Sequence, residues 1–210
     1  ILTAKYLKGF AEKKIGKAVG HRRDEFILVT TTPHKTSKRV KQDIDDSLRN
    51  LQTDYIDIYQ MSPRYAPSED KLPELGSTME TLREAQRDGK IGYIGLNTHD
   101  PRQLVPVVKT GYIDTVFFIL NMVQFEGFDE LLPVVKKLNV GTMAFRSLSH
   151  GALPVKKALR FPMCAGVDTV VCGMYSPAEI DENIAVAENV PTEEEWKELL
   201  EEASSLQKMG

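Results

Sequence analysis

Several polar residues stand where a chain could do chemistry, and their surroundings suggest which kind. Asn97 and Thr98 follow the short apolar run Ile91-Gly92-Tyr93-Ile94-Gly95-Leu96, with His99 next. An amide and a hydroxyl at the carboxyl end of a buried strand can hydrogen-bond a ligand, because parallel α/β proteins place their sites there. Ser176-Pro177-Ala178-Glu179 has capping-box spacing, and Asn183 lies one helical turn after Glu179 on the same face. Ser176 and Glu179 therefore have two readings, a helix start or a ligand contact, and Asn183 either reaches a ligand or is solvated. His99 either enters the site or caps the next helix. Arg146 and His150 offer positive charge to an anion. His34 reads as a loop histidine near a strand end, and Asp57, inside a strand pattern, faces either the interior or solvent. Cys164 and Cys172 lack the spacing of a metal set, so no metal is expected.

The elements that must position these residues alternate strand and helix from end to end, with no linker or low-complexity break. Apolar strand patterns cover 26–29, 55–59, 91–96, 116–120, 141–145 and 169–171. Between them, Thr36 opens a helix with Val40, Ile44, Leu48 and Leu51 on one face, and Met79, Leu82 and Ala85 mark the next. A loop over 72–77 precedes that second helix. Asp100-Pro101 supplies an N-cap and a first-turn proline, and Gly111 a stop. Leu131, Leu132, Val135 and Leu138 mark a fourth helix, and 155–161 a fifth. Ile180, Ile184 and Ala187 form the stripe of the helix that starts at Ser176. Thr192 to Glu195 repeats the capping box for the last, whose stripe is Trp196, Leu199, Leu200 and Ala203.

Repeated strand–helix units with near-continuous apolar strands predict a parallel sheet covered by helices. A barrel and an open doubly wound sheet both satisfy that pattern. No Gly-rich dinucleotide fingerprint follows an early strand, which favours a (β/α)8 barrel over a Rossmann sheet. The chain is expected to form one domain over 1–210, incomplete as a barrel, since about 250 residues is typical. Hydrophobic residues at 41% and charged residues at 27% are enough to build a soluble core. A net charge of −3 gives no reason to expect nucleic acid as partner, and no apolar run is long enough to span a bilayer. Ile1-Leu2-Thr3-Ala4-Lys5 is not a signal peptide, and two thiols in 210 residues suggest a reducing, cytoplasmic setting.

Several segments, in order, resemble the aldo-keto reductases. Gly89-Lys90-Ile91-Gly92-Tyr93-Ile94-Gly95-Leu96-Asn97-Thr98 resembles the family's "GKIRYIGVSN", with Asn97-Thr98 in place of Ser-Asn. Thr53-Asp54-Tyr55-Ile56-Asp57-Ile58-Tyr59-Gln60 is similar to "TDYIDLYQ". The helix from Glu12 to Ala18 with Arg22-Arg23-Asp24-Glu25 resembles "EKLIGKAL…RRDEV", and residues 167–174 with Glu182-Asn183 resemble the last strand and helix. Asn97-Thr98-His99-Asp100 together with Gly173-Met174 is similar to the branch whose longer members carry a ferredoxin-like extension, and these 210 residues are not expected to include one. The resemblance aligns Ile1-Leu2-Thr3-Ala4 with the end of the second barrel strand, so the first strand and helix are expected to lie outside this chain. The connection between Gly151 and Val155 is shorter than the family's loop.

The resemblance implies hydride transfer between a nicotinamide nucleotide and a carbonyl carbon, with a Tyr as proton donor. A free Tyr titrates near 10, so it needs a neighbouring Lys, itself held by an Asp, to act at neutral pH. Tyr6 is the counterpart of the Tyr. Leu2 occupies the Asp position, Thr31 the Lys position and Ser62 the position of a His that orients the carbonyl. For the cofactor, the resemblance gives Asn97 and Thr98 to the carboxamide and Phe145 to ring stacking, while Phe117 replaces a Gln. Gly173 and Glu179 replace the Lys and Arg that grip a 2′-phosphate, and Ser176 and Asn183 lie alongside. A carboxylate there favours NAD over NADP. The expectation is an oxidoreductase using NAD or NADP on a small carbonyl or alcohol, with degenerate catalytic residues. The alternative is an inactive barrel acting as a nucleotide-binding or protein-interaction module. The sequence assigns no oligomeric state.

Overall fold

The computed structural model describes residues 1–3, 9–61, 76–151 and 153–209. Six parallel strands form one sheet in chain order: β1 (Val29–Thr32), β2 (Ile56–Met61), β3 (Ile91–Thr98), β4 (Thr115–Ile119), β5 (Gly141–Phe145) and β6 (Thr169–Val170). The helices are α1 (Phe10–Val19), α2 (Ser37–Leu51), α3 (Gly76–Arg87), α4 (Leu104–Lys109), α5 (Phe128–Leu138), α6 (Val155–Cys164), α7 (Pro177–Ala187) and α8 (Glu193–Met209). Each crossover from strand to parallel strand runs through a helix, as parallel pairing requires. The result is an incomplete (β/α)8 barrel. Leu2 adds an isolated parallel bridge to Val29, and among the described residues no strand joins β6 back to Leu2. A cavity of about 460 Å³ lies there, lined by Ile1, Leu2, Ile27 and Val29 on one edge and Thr169, Val170, Val171 and Cys172 on the other. Among the described residues, no helix is long and apolar enough to cross a membrane.

Alternation along each strand separates two buried layers. Val40, Ile44, Leu82, Leu96, Val116, Phe118, Leu131 and Ala144 form the core between sheet and helices. Asn97, Phe117 and Met143 are in register and face the barrel interior, while Thr98 and Phe118 face the helices. Gly95 is required where it stands: a Cβ there would lie 2.6 Å from Thr115 Oγ1 and 2.7 Å from Gln60 Cγ. On β1, Thr30 and Thr32 turn outward to carboxylates. Glu12 is fully buried and accepts from the hydroxyls of Thr30 (2.8 Å) and Ser47 (2.7 Å) and from Asn50 Nδ2 (2.9 Å). Asp43 accepts from Thr32 Oγ1 at 2.5 Å.

The structure corrects several element-level expectations. The first strand starts at Val29 rather than at 26, because the Leu28 N–H is taken by Asp57 Oδ2 (2.7 Å) and Ile27 is 65% exposed. Asp57 faces neither the interior nor bulk solvent; Arg23 Nη2 holds it at 2.6 Å. Thr36 occupies the N-cap of α2, yet its side chain makes no capping bond. Asp100, not His99, caps the next turn, accepting from Arg102 N at 3.1 Å. Gly111 has φ +70 and follows α4 as expected. Leu138 is exposed, and so is the whole stripe expected on α7: Ile180, Ile184 and Ala187. Helix α7 packs on α6 through its other side, where Val186 is buried, and its Asn183 reaches Cys172, two residues past β6. The α8 stripe is where periodicity puts it, with Leu199 and Ala203 buried.

Candidate dinucleotide site

The carboxyl ends of β3, β4 and β5 bring a cluster of rings together. Phe117 and Phe145 have centroids 4.5 Å apart at 44°, and His99 lies 5.8 Å from Phe145. Phe145 is the last residue of β5, and its ring is partly exposed, so it offers a face to a planar group. Asn97 is partly exposed on the interior side of β3, beside Phe117. Thr98 is not brought to this cluster: it is 1% exposed, and its hydroxyl lies 3.4 Å from Gln103 Oε1 on the helix side. The one-residue step that separates Asn97 from Thr98 puts their side chains on opposite faces of the strand.

Past β5 the chain turns sharply. Arg146 has φ +58 and Ser149 φ +44, both left-handed without being glycine. The Arg146 carbonyl is fixed by Asn121 Nδ2 (3.0 Å) and Ser149 N (2.9 Å). Asn121 is itself buried and accepts from Val123 N and Gln124 N. This turn and the start of α7 wall a cavity of about 730 Å³, lined by Arg146, Ser147, Cys172, Gly173, Tyr175, Glu179, Glu182 and Asn183 among others. That volume suits a drug-sized or nucleotide ligand.

Three residues expected from sequence, Gly173, Glu179 and Asn183, meet in this cavity. Ser176 does not line it; its hydroxyl accepts from Glu179 N at 3.3 Å and serves the helix start. Glu179 completes only part of a capping box, since its Oε2 accepts from Tyr175 N (2.9 Å) and not from Ser176 N. Asn183 Nδ2 reaches Cys172 Sγ at 3.4 Å, and burial raises the Cys172 thiol above its ordinary value. A Cβ built on Gly173 meets open space, so the missing side chain leaves that part of the cavity clear. Ser147 was not singled out by sequence reading, and Glu182 entered only as part of a matched segment, with no site role. A serine in a turn and a glutamate on an exposed helix face carry no site signal until the fold joins them.

Of the four positions that the resemblance gives to proton transfer, two lie among the described residues. Tyr6 and Ser62 lie outside the described residues. Leu2 bridges β1 through its backbone, and Thr31 is buried on the interior face of β1. Neither carries a charge. Tyr59 is no substitute donor: it is buried on the helix side of β2. Burial first, and then the Asp43 carboxylate, push its hydroxyl well above 10.

Comparison with known proteins agrees with this architecture. The sequence model described as Aldo/keto reductase family matches residues 2–165. Aldo-keto reductase YhdN of Bacillus subtilis (strain 168) is 30% identical over 160 residues, covering 70% of this chain and 47% of that protein. The chain spans about half the length of the first curated relatives it matches. Among solved structures, the holo form of aldo-keto reductase AKR11C1 from Bacillus halodurans superposes with a TM-score of 0.83 at 22% identity, covering 96% of this chain and 81% of that one. An aldo/keto reductase from Klebsiella pneumoniae in complex with NADP and acetate gives 0.79 at 23%, covering 95% and 78%. Both structural likenesses show the shared fold. With a family model matched across most of its length and a barrel whose strands arrive in that family's order, this chain belongs to the aldo/keto reductase family.

Proposed function

We propose that the chain binds a nicotinamide dinucleotide, NAD(H) in preference to NADP(H), and works as an oxidoreductase on a small carbonyl or alcohol. The observation that carries this is the cavity that joins Gly173, Glu179 and Asn183 to the turn directly following Phe145. Its residues fit part of a dinucleotide, an unpartnered buried hydroxyl on Ser147 at one side and carboxylates at the other, and the Phe145 ring precedes the turn that walls it. The bound nucleotide would supply the hydride. Phe145 would stack the nicotinamide and Asn97 would bond its carboxamide. Glu179 and Asn183 would accept and donate to the ribose hydroxyls and the base. A 2′-phosphate would find no cation at Gly173 and a carboxylate at Glu179, so NADP, the nucleotide bound by the Klebsiella relative, is disfavoured. Tyr6 is the proton donor in this reading, and turnover is slow because Leu2 and Thr31 supply neither Asp nor Lys. A cytoplasmic setting, suited to two free thiols, belongs to the same proposal.

A second reading, a barrel that binds nucleotide without reducing anything, is favoured by one specific feature. Phe117, where the resemblance expects an amide, packs 4.5 Å from Phe145 and narrows the polar floor of the site.

Calorimetric titration with NADH and with NADPH tests the reading. Saturable binding, tighter for NADH, is expected, and Gly173→Lys with Glu179→Arg should invert the preference. NADH oxidation by small aldehydes, lost in Tyr6→Phe, would establish the enzyme. Binding without oxidation would favour the second reading, and no binding of either nucleotide would retire both.

A further inference from the structure

We propose that this protein associates with a second copy of itself, helix α7 of each copy lying against helix α1 of the other. The two helix faces are exposed, opposite in charge and matched in length.

Each helix turns one side inward for a reason that leaves the other side out. On α1, Glu12 is buried among Thr30, Ser47 and Asn50. Gly16, one turn further on, lies so close to α2 that a Cβ there would stand 2.5 Å from the Asn50 carbonyl oxygen. The 3.6-residue period therefore puts Phe10, Lys13, Lys14 and Lys17 together on the outer side, and all four are exposed. Lys14 Nζ lies 4.8 Å from the centre of the Phe10 ring. Among the described residues, none of the three lysines holds a carboxylate.

On α7, Val186 is the buried residue, and Arg160 holds its carbonyl and that of Asn189. The same period leaves Ile180, Ile184 and Ala187 as an exposed stripe, with Ile184 52% exposed. Tyr175 before the helix and Val190 after it extend the apolar surface. Asp181 and Glu188 border the stripe, both exposed and without a cation among the described residues.

Charge selects the occupant. Residues 176–202 carry ten carboxylates and one lysine, whereas residues 1–42 carry eleven lysines and arginines and three carboxylates. Two α7 faces set together would repel, so an acidic apolar stripe calls for a basic apolar one, and α1 of another copy presents it. Both helices are about 15 Å long, and the lysine stems of α1 can lie along the isoleucines while their ammonium groups reach the bordering carboxylates. A twofold pair makes this contact twice, α7 on α1 and α1 on α7.

The experiment is analytical ultracentrifugation of the 210-residue chain over a range of protein concentrations, at low salt and in about 0.5 M salt. Wild type is expected as a concentration-dependent pair that salt weakens about tenfold. Ile184→Ser should weaken it at least about tenfold at either salt. One variant carrying Lys13→Glu, Lys14→Glu and Lys17→Glu, and another carrying Asp181→Lys and Glu188→Lys, should each be monomeric, since each sets like charges against each other. An equal mixture of the two should pair again, because acidic α1 then meets basic α7 and acidic α7 meets basic α1. Every substituted side chain is exposed, and circular dichroism checks that the variants keep their helices. A wild type that stays monomeric would overturn the proposal, and capture of a basic amphipathic model peptide by that monomer would give the α7 face a foreign partner instead. Pairing that survives all three variants, or a mixture that stays monomeric, would also overturn it, because the association would then use another surface.

Discussion

At the scale of single residues, chemistry and burial together decide which groups can react. The two thiols make the point. Burial, and after it the Glu195 carboxylate, push Cys164 up to about 11, so almost none of it is thiolate near neutrality. Cys172 is raised by burial alone and lines the cavity proposed for the dinucleotide. Iodoacetamide at pH 8.5 should therefore label Cys172 well before Cys164, and saturating NADH should slow the Cys172 reaction only. Peptide mass spectrometry reads both, and equal labelling of Cys172 with and without nucleotide would count against the cavity as the binding site. Sequence reading picked out Gly173, Glu179 and Asn183 because each sits at a spaced position of a matched segment. It picked out Thr98 and Ser176 as well. Strand alternation turns Thr98 to the helices, and the first turn of α7 occupies the Ser176 hydroxyl.

At the scale of elements, most helices were legible from period and punctuation, while their side-chain partners were not. Glu195 looks like the second half of a capping box with Thr192. The structure keeps one half, Glu195 N donating to Thr192 Oγ1 at 3.2 Å, and gives the carboxylate to Arg160. Arg160 is 4% exposed and ties three helices together: its Nε donates to Glu195 Oε1 on α8 (2.6 Å), and its Nη1 donates to the carbonyls of Val186 and Asn189 at the end of α7. Arg160→Met should lower unfolding free energy by about 2–4 kcal/mol, because the carbonyls and a half-buried carboxylate lose their donor. Urea denaturation measures it. The pH dependence follows the same pair. The Arg160 guanidinium holds the Glu195 carboxyl below its ordinary 4.5, so its stabilising effect is complete above that value. It is lost as the pH falls through the lower folded value. Wild type should lose stability below about pH 4.5 more steeply than Arg160→Met, and parallel acid titrations would contradict the assignment.

At the scale of the whole molecule, the described residues pair most fully in the middle of the sheet. Among them, strands β2 to β5 have neighbours on both sides, whereas β6 is two residues long with one neighbour, and Leu2 makes a single bridge. Local opening costs least where fewest bonds must break. Hydrogen exchange should find the amides of β3 and β4 slowest, and those of Leu2, Thr3, Thr169 and Val170 faster by orders of magnitude. Equal protection across the sheet would show that the edges are closed in solution.

The sequence by itself determined the parallel α/β architecture, the order of its units and the family, because hydrophobic period and turn chemistry are local and survive substitution. It also placed Phe145 at a strand end, Gly173 after the last strand and Glu179 in the first turn of the next helix, with Asn183 one turn further on the same face. Only the tertiary structure decided that the α7 stripe is exposed, because whether an apolar face is covered depends on a neighbour distant in sequence. It alone joined Arg146 and Ser147 to Glu179 and Glu182 across one cavity. Those residues are more than 30 positions apart, and nothing local in a turn serine or a surface glutamate records what will face it once the barrel curves.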